Sequence, residues 1–321
     1  MKIPFTPVIY EHAARFVGRS PWDVSRDPEL MFEGHRRAYL EYHHQVIAVA
    51  IDIYNLEAEA YGAKVEASTA DAIPAIHHPL LSSVEEGIAL KPFDPDRDGR
   101  IAMLISVAQR LKREFPDADV RLPVGGPFSI AFNLRGINDL CMDAACCPEE
   151  LAKMLMRLAE NQAGLCKAVA KAGLDVAFFE SAAAPPILSP AQFHELEMPA
   201  LRRVLEIASD AVGHPVPCIS GGNTYPVLDD ILSTGTNYLV CNVETNQKAF
   251  VERVSRTHPH VKIRVNLDPG VVACHDAQRI YRAIDHVLDI AGGRTNCVMG
   301  TGAMPLETPP GNVRLIRDYL A

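Results

Sequence analysis

The chain has 321 residues, 48% of them hydrophobic and 22% charged, and a formal net charge of −9. That length is ample to bury a core, as one large α/β domain or two small ones, and the acidic balance argues against nucleic acid as a partner. No apolar run reaches the roughly 18 residues of a membrane span. No export signal is read in Met1-Lys2-Ile3-Pro4, so the eight cysteines read as reduced thiols in a cytoplasmic protein.

Residues 4–10 read as a first strand. Glu11-His12-Ala13-Ala14-Arg15 follow, either as polar groups at a strand's end or as the start of a surface helix. A helix is expected over 27–44. Val46 to Ile53 reads as an apolar strand ending on Asp52, where a buried carboxylate is costly unless paired or functional. Glu57 and Glu59 lie two apart and do not share a helix face. Residues 94–99, Asp-Pro-Asp-Arg-Asp-Gly, mimic a calcium loop, but Ile105 stands where the bidentate carboxylate belongs. They read instead as a turn before a helix over 100–114.

Asp119 to Val124 is the third expected strand, running into Gly125-Gly126-Pro127-Phe128-Ser129, with a helix around 149–172 after it. Val176 to Glu180 is the fourth. Val216 to Ile219 is the fifth and ends in Gly221-Gly222, after which Asn223 or Thr224 is expected to cap a helix with Pro226 in its first turn. The glycines allow close backbone approach to a ligand, and the helix N-terminus offers N–H groups to an anion. The sixth strand, 238–243, ends near Asn242 and Glu244; the seventh, 262–267, ends in Asn266-Leu267-Asp268; the eighth is 296–300. Helical patterns at 274–290 and 310–320 separate and close the series. Eight strands alternating with helices, polar or glycine-rich at their C-terminal ends, predict a single (β/α)8 TIM barrel with N-terminal helical additions. Residues 63–118 read as an insertion over one edge.

Several of these stretches resemble one family. They are Asp52 with Glu57-Ala58-Glu59-Ala60-Tyr61-Gly62, Gly125-Gly126-Pro127-Phe128-Ser129, Leu188-Ser189-Pro190-Ala191-Gln192-Phe193, Gly222 to Asp230, Asn266-Leu267-Asp268-Pro269, and Glu307 to Val313. The chain resembles the uroporphyrinogen decarboxylase superfamily, and most its corrinoid-dependent methyltransferase branch. The resemblance implies the barrel fold over nearly the whole chain and one of two activities. Decarboxylases of the family use two arginines near the first strand, an Asp after the second, a Tyr after the third and a His near the eighth. Here those positions fall on Glu11, Arg15, Asp52, Phe132 or Asn133, and Gly302, which argues against a tetrapyrrole ringed with carboxylates. The methyltransferase branch binds zinc through a His-x-Cys pair and a later Cys. These fall on Ile219, Gly221 and Gly302, so the usual zinc ligands are absent.

Cys218, Cys241 and Cys297, each near the end of its strand, are the one alternative zinc site; the competing reading makes them small buried hydrophobes. The expected mouth is otherwise acidic and amide-rich. His12, Asp52 and Glu180 are the candidate catalytic residues, with His12 paired to Asp52 or Glu11 as acid and base. Glu11, Arg15, Glu57, Gly221, Gly222, Asn223, Asn242, Glu244, Asn266 and Asp268 are the candidate binding residues. The expected function is methyl transfer between a small molecule and a corrinoid on a partner protein. The alternatives are decarboxylation of a carboxylated substrate and a non-catalytic binding barrel. A homodimer is among the expectations.

Overall fold

The computed structural model describes residues 3–69 and 72–320; Met1 and Lys2, where the absence of a leader is read, and Ala70 and Asp71 of the expected insertion lie outside them. Seven strands form: β1 (Phe5–Val8), β2 (Val46–Ala48), β3 (Asp119–Gly125), β4 (Asp175–Phe179), β5 (Tyr238–Cys241), β6 (Lys262–Leu267) and β7 (Cys297–Ala303). Every ladder is parallel, and the strands fall into two arcs ordered β1-β7-β6-β5 and β2-β3-β4.

The expected fifth strand is not a strand. Pro215 and Pro217 bracket Val216 and remove two ladder donors. The segment still bridges the arcs. Glu180 N–H donates to the Ile219 carbonyl at 2.8 Å and Gly221 N–H to the Glu180 carbonyl at 2.8 Å. On the other side the Asn242 amide donates to the Ser220 carbonyl at 3.1 Å. The remaining seam lies between β1 and β2, where no ladder forms among the described residues.

β2 stops at Ala48 and does not run on to Ile53, so Asp52 stands in a bend before a short 3-10 turn, Ile53–Asn55. The long helix expected at 149–172 is two, Pro148–Asn161 and Ala163–Lys171, that break at Gln162. The N-terminal additions are a 3-10 helix, Tyr10–Val17, and helices Pro21–Arg26 and Pro28–Tyr42. Proline opens both helices, and the side chains of Ser20 and Asp27 cap them.

A cavity of about 300 Å3 runs inside the barrel, lined by Val8, Ala48, Arg121, Val176, Ile219, Tyr238, Arg264 and Val298, one from each strand and from the bridging segment. Strand alternation sends their neighbours the other way. Ile47, Val120, Cys218, Leu239, Ile263 and Cys297, all buried, therefore pack under the surrounding helices. Among the described residues, no helix is long and apolar enough to cross a membrane.

Candidate active site

The sequence places polar residues at the strands' C-terminal ends, and the structure sorts them into separate networks. Asp52 is 1% exposed, and Arg100 clamps it with two bonds, Nη1 to Oδ1 at 2.6 Å and Nη2 to Oδ2 at 2.5 Å. Asn55 adds a third donor at 3.0 Å. The Arg100 Nε reaches Glu59 at 2.7 Å, and Glu59 also pairs with Arg26. Asp52 is therefore held in an ion-pair network and does not orient His12. The 0%-exposed His12 ring meets the Tyr42 hydroxyl at 2.8 Å and the Pro305 carbonyl at 3.3 Å. Burial pushes it down to about 4, so it is a neutral core imidazole and not an acid/base partner.

Glu57 finishes the sheet. Past the end of β2, the Gly125 N–H has no strand to meet and donates to Glu57 Oε1 at 2.6 Å. The Gln162 amide reaches the same oxygen at 3.3 Å. Burial raises the Glu57 carboxyl to about 7.

Glu180 is equally committed. Its carboxylate sits at the N-terminus of helix Pro127–Arg135, a favourable place for negative charge. It accepts the Ser129 hydroxyl at 2.5 Å, the Phe128 and Ser129 amides at 3.2 Å each, and the Ala182 amide at 3.1 Å. Glu197, 0% exposed, lies against it, and neither Glu197 oxygen has a hydrogen-bond partner among the described residues. Burial, then the Glu180 charge, raises Glu197 well above the carboxylate range. No sequence motif marked Glu197.

The amides behave differently. Asn266 Nδ2 donates to Asn242 Oδ1 at 3.1 Å, and Asn242 in turn reaches the Ser220 carbonyl. Asn266 is 3% exposed, yet its Oδ1 has no partner among the described residues. Asn223 accepts the Thr245 hydroxyl at 2.9 Å. Gly222 takes a φ of +74°, and an added Cβ on Gly221 would lie 3.1 Å from the Ser181 Cα, so both glycines are needed for the turn. The helix that follows forms where expected, a 3-10 turn Tyr225–Val227 with Pro226 in it and then Leu228–Leu232; Thr224 holds the N-cap position, but no side chain caps it. Glu244 and Arg15 are exposed, Arg15 touching only the Leu306 carbonyl at 3.4 Å. Asp268 is also exposed and caps helix Pro269–Ala273 by accepting the Gly270 N–H at 2.7 Å.

The three cysteines do not converge on the barrel mouth. Cavity-facing Pro217, Ile219, Tyr238 and Val298 alternate with Cys218, Cys241 and Cys297, which therefore point outward. Among the described residues no group of three or more His, Cys, Asp or Glu could hold a metal ion. The residues present do not fit the zinc site that the family resemblance implies.

What remains at the mouth is a cluster around Glu11. Tyr10, just past β1, holds a φ of +26°, a sparsely populated conformation for a residue with a Cβ. Its side chain lines the cavity. Glu11 is 7% exposed, and among the described residues its carboxyl has its own backbone amide as donor and no side chain. Burial, with Glu307 adding repulsion, raises it to about 7. Burial, with a smaller repulsion from Glu11, raises the Tyr54 phenol, and the Tyr54 ring meets cavity-lining Phe179 edge-on at 5.4 Å. Tyr10, Tyr54 and Arg264 were not singled out from the sequence. The alternation Lys262-Ile263-Arg264-Val265-Asn266 carried the signal for Arg264, since it puts Arg264 on the Asn266 face of β6.

The sequence profile of the uroporphyrinogen decarboxylase (URO-D) family matches residues 2–320, so the chain belongs to that family. Its fold is similar to that of a methyltransferase from Methanosarcina mazei, with a TM-score of 0.83 at 20% identity, over 99% of this chain and 93% of that one. A putative vitamin-B12 independent methionine synthase from Listeria monocytogenes matches 91% of this chain and 87% of its own, at 12% identity and a TM-score of 0.49. No curated protein matches by sequence.

Proposed function

We propose that this chain transfers a methyl group from a small polar carrier to a corrinoid held by a partner protein, with the leaving atom protonated by Glu11. The observation that carries the reading is the Glu11 carboxyl, buried beside the cavity-lining Tyr10 and raised to about 7. A general acid works best with a pKa near the operating pH. The fold likeness to the Methanosarcina mazei methyltransferase supports the reaction class. Zinc thiolate activation finds no ligands here, so proton donation supplies the activation of the leaving group.

In this scheme a reduced corrinoid would supply the electron pair of the new bond to the methyl carbon, the carbon–heteroatom bond would break with its pair left on the heteroatom, and Glu11 would give that heteroatom its proton. Tyr10 and Tyr54 wall the acid, and Asn266 Oδ1, unpartnered at the mouth, accepts a hydrogen bond from the substrate. A second reading, decarboxylation, is favoured by the Arg264 Nε, which faces the cavity without a partner and suits a carboxylate.

The test is incubation with reduced cobalamin and a panel of O-methyl and N-methyl compounds, following loss of the donor methyl signal by NMR. Cobalamin-dependent loss is expected, roughly 10²–10⁴-fold slower in Glu11→Gln. The rate should fall as pH rises above about 7, where the acid loses its proton. Carbon dioxide release without methyl loss would overturn the reading in favour of decarboxylation.

A further inference from the structure

TIM-barrel interiors are ordinarily filled by layers of side chains. This one keeps a cavity of about 300 Å3, at the small end of the range for ligand pockets. Three polar groups on its wall have no partner among the described residues: Arg264 Nε, His35 Nε2 and His44 Nδ1. The two histidines are 1% and 2% exposed and reach the cavity at the open seam between β1 and β2. An unmade bond to a buried polar atom is destabilising, because the atom has lost its water and gained nothing in return. Leaving three of them on one wall is consistent with a space built to be filled.

The chemistry of the wall narrows the occupant. Arg121, the other cavity arginine, is fully engaged. It reaches Asp119 at 2.9 and 2.6 Å, Asp175 at 3.5 Å and the Val176 carbonyl at 3.3 Å. Arg264 lies near the Tyr238 and Tyr10 phenols, and its Nε has no partner among the described residues. Of the two arginines it is the one with a donor to spare, and its planar guanidinium suits a carboxylate better than the ammonium of Lys262, which is exposed and also lines the cavity. Burial pushes His35 down to about 4 and His44 to about 3, so the rings are neutral and offer hydrogen bonds without charge. Most of the remaining wall is apolar, Val8, Ile219 and Phe178 among it, while Gln45, Asp119 and Lys262 add polar groups.

We infer that the barrel interior binds a small monocarboxylate with an apolar body, its carboxylate on Arg264 and a polar substituent toward His35 and His44. As a statement about the methyl carrier this rests on the reading above; as a statement about binding it does not. Calorimetric titration with acetate, butyrate and benzoate tests it, with benzamide as the uncharged counterpart of benzoate. At least one carboxylate is expected to bind, about tenfold or more tighter than benzamide. Arg264→Gln should weaken that binding by a similar factor, and Ala48→Leu, which fills the cavity, should abolish it.

Equal affinity for benzamide and benzoate overturns the inference and requires no variant to fold. So does carboxylate binding unchanged in folded Arg264→Gln or Ala48→Leu. Failure of all three acids to bind the folded wild type leaves the cavity to ordered water and also overturns it. Carboxylate binding without methyl transfer would sink the reaction and keep this inference; methyl transfer from donors lacking a carboxylate, with no acid bound, would do the reverse.

Discussion

A carboxylate at the end of a barrel strand is read as catalytic until its partners are known, and Asp52 shows why partners decide. Its two oxygens are taken by one guanidinium in a nearly dry setting. Removing one member of a buried ion pair leaves the other uncompensated, which costs about 3–5 kcal/mol. Asp52→Ala is therefore expected to lower unfolding stability by that amount in urea titrations. The double variant Asp52→Ala/Arg100→Met should recover much of it, because the stranded charge is gone. Lost activity at unchanged stability would instead return Asp52 to the chemistry. The sequence displayed Asp52 and its cost of burial clearly. It hid the remedy, because Arg100 lies 48 positions away and no local pattern joins them. His12 was hidden for the same reason: its partners, Tyr42 and Pro305, are remote in sequence.

At the scale of elements, the turn from β3 into helix Pro127–Arg135 is set by what Glu180 needs. Gly126 has an ordinary φ of −73°, so its glycine is not required by the backbone. A Cβ there would lie 2.2 Å from Glu180 Oε2 and 2.9 Å from the Glu180 Cβ. Glu180 cannot swing aside without losing several of its donors. Gly126→Ala should destabilise by about 1–3 kcal/mol, the range for overpacking a filled site, read as a lowered melting temperature. An unchanged melting temperature would mean the turn shifts freely and the Glu180 network is loose. Most elements were legible from period and punctuation: β6 and helix Pro310–Leu320 fall where expected. The fifth strand was not, because its apolar run outweighed the two prolines that remove its ladder bonds. The direction of the three cysteines needed the register as well, which a run of apolar residues does not supply.

For the whole molecule, buried titratable groups of opposite sense set the response to pH. His12, His35 and His44 are lowered to about 4, 4 and 3, below their unfolded value near 6.5. The unfolded chain binds their protons more readily, so their contribution is present above about 6.5 and lost as pH falls toward 4. Glu11 and Glu57 are raised to about 7. Their contribution is complete below about 4.5 and lost as pH rises through 7. Between pH 7 and 5 the two sets offset one another; below about 4.5 the acids have nothing further to add while His12, His35 and His44 still lose. Chemical denaturation across pH should therefore show a shallow plateau from 7 to 5 and a steep fall beneath it. A steep fall beginning at 7 would mean the buried carboxyls are not raised.

The pairing of β1 with β7 also bears on how the chain is made. Phe5 aligns with Met299, so β1 leaves the ribosome long before the strand it pairs with. The β2-β3-β4 arc needs only residues 46–179 and can assemble early in synthesis, whereas β1 spends that time as a bare edge. Parallel contacts so distant in sequence form slowly, and an unpaired strand held open for that interval is where a nascent chain of this kind is most exposed to association with its neighbours.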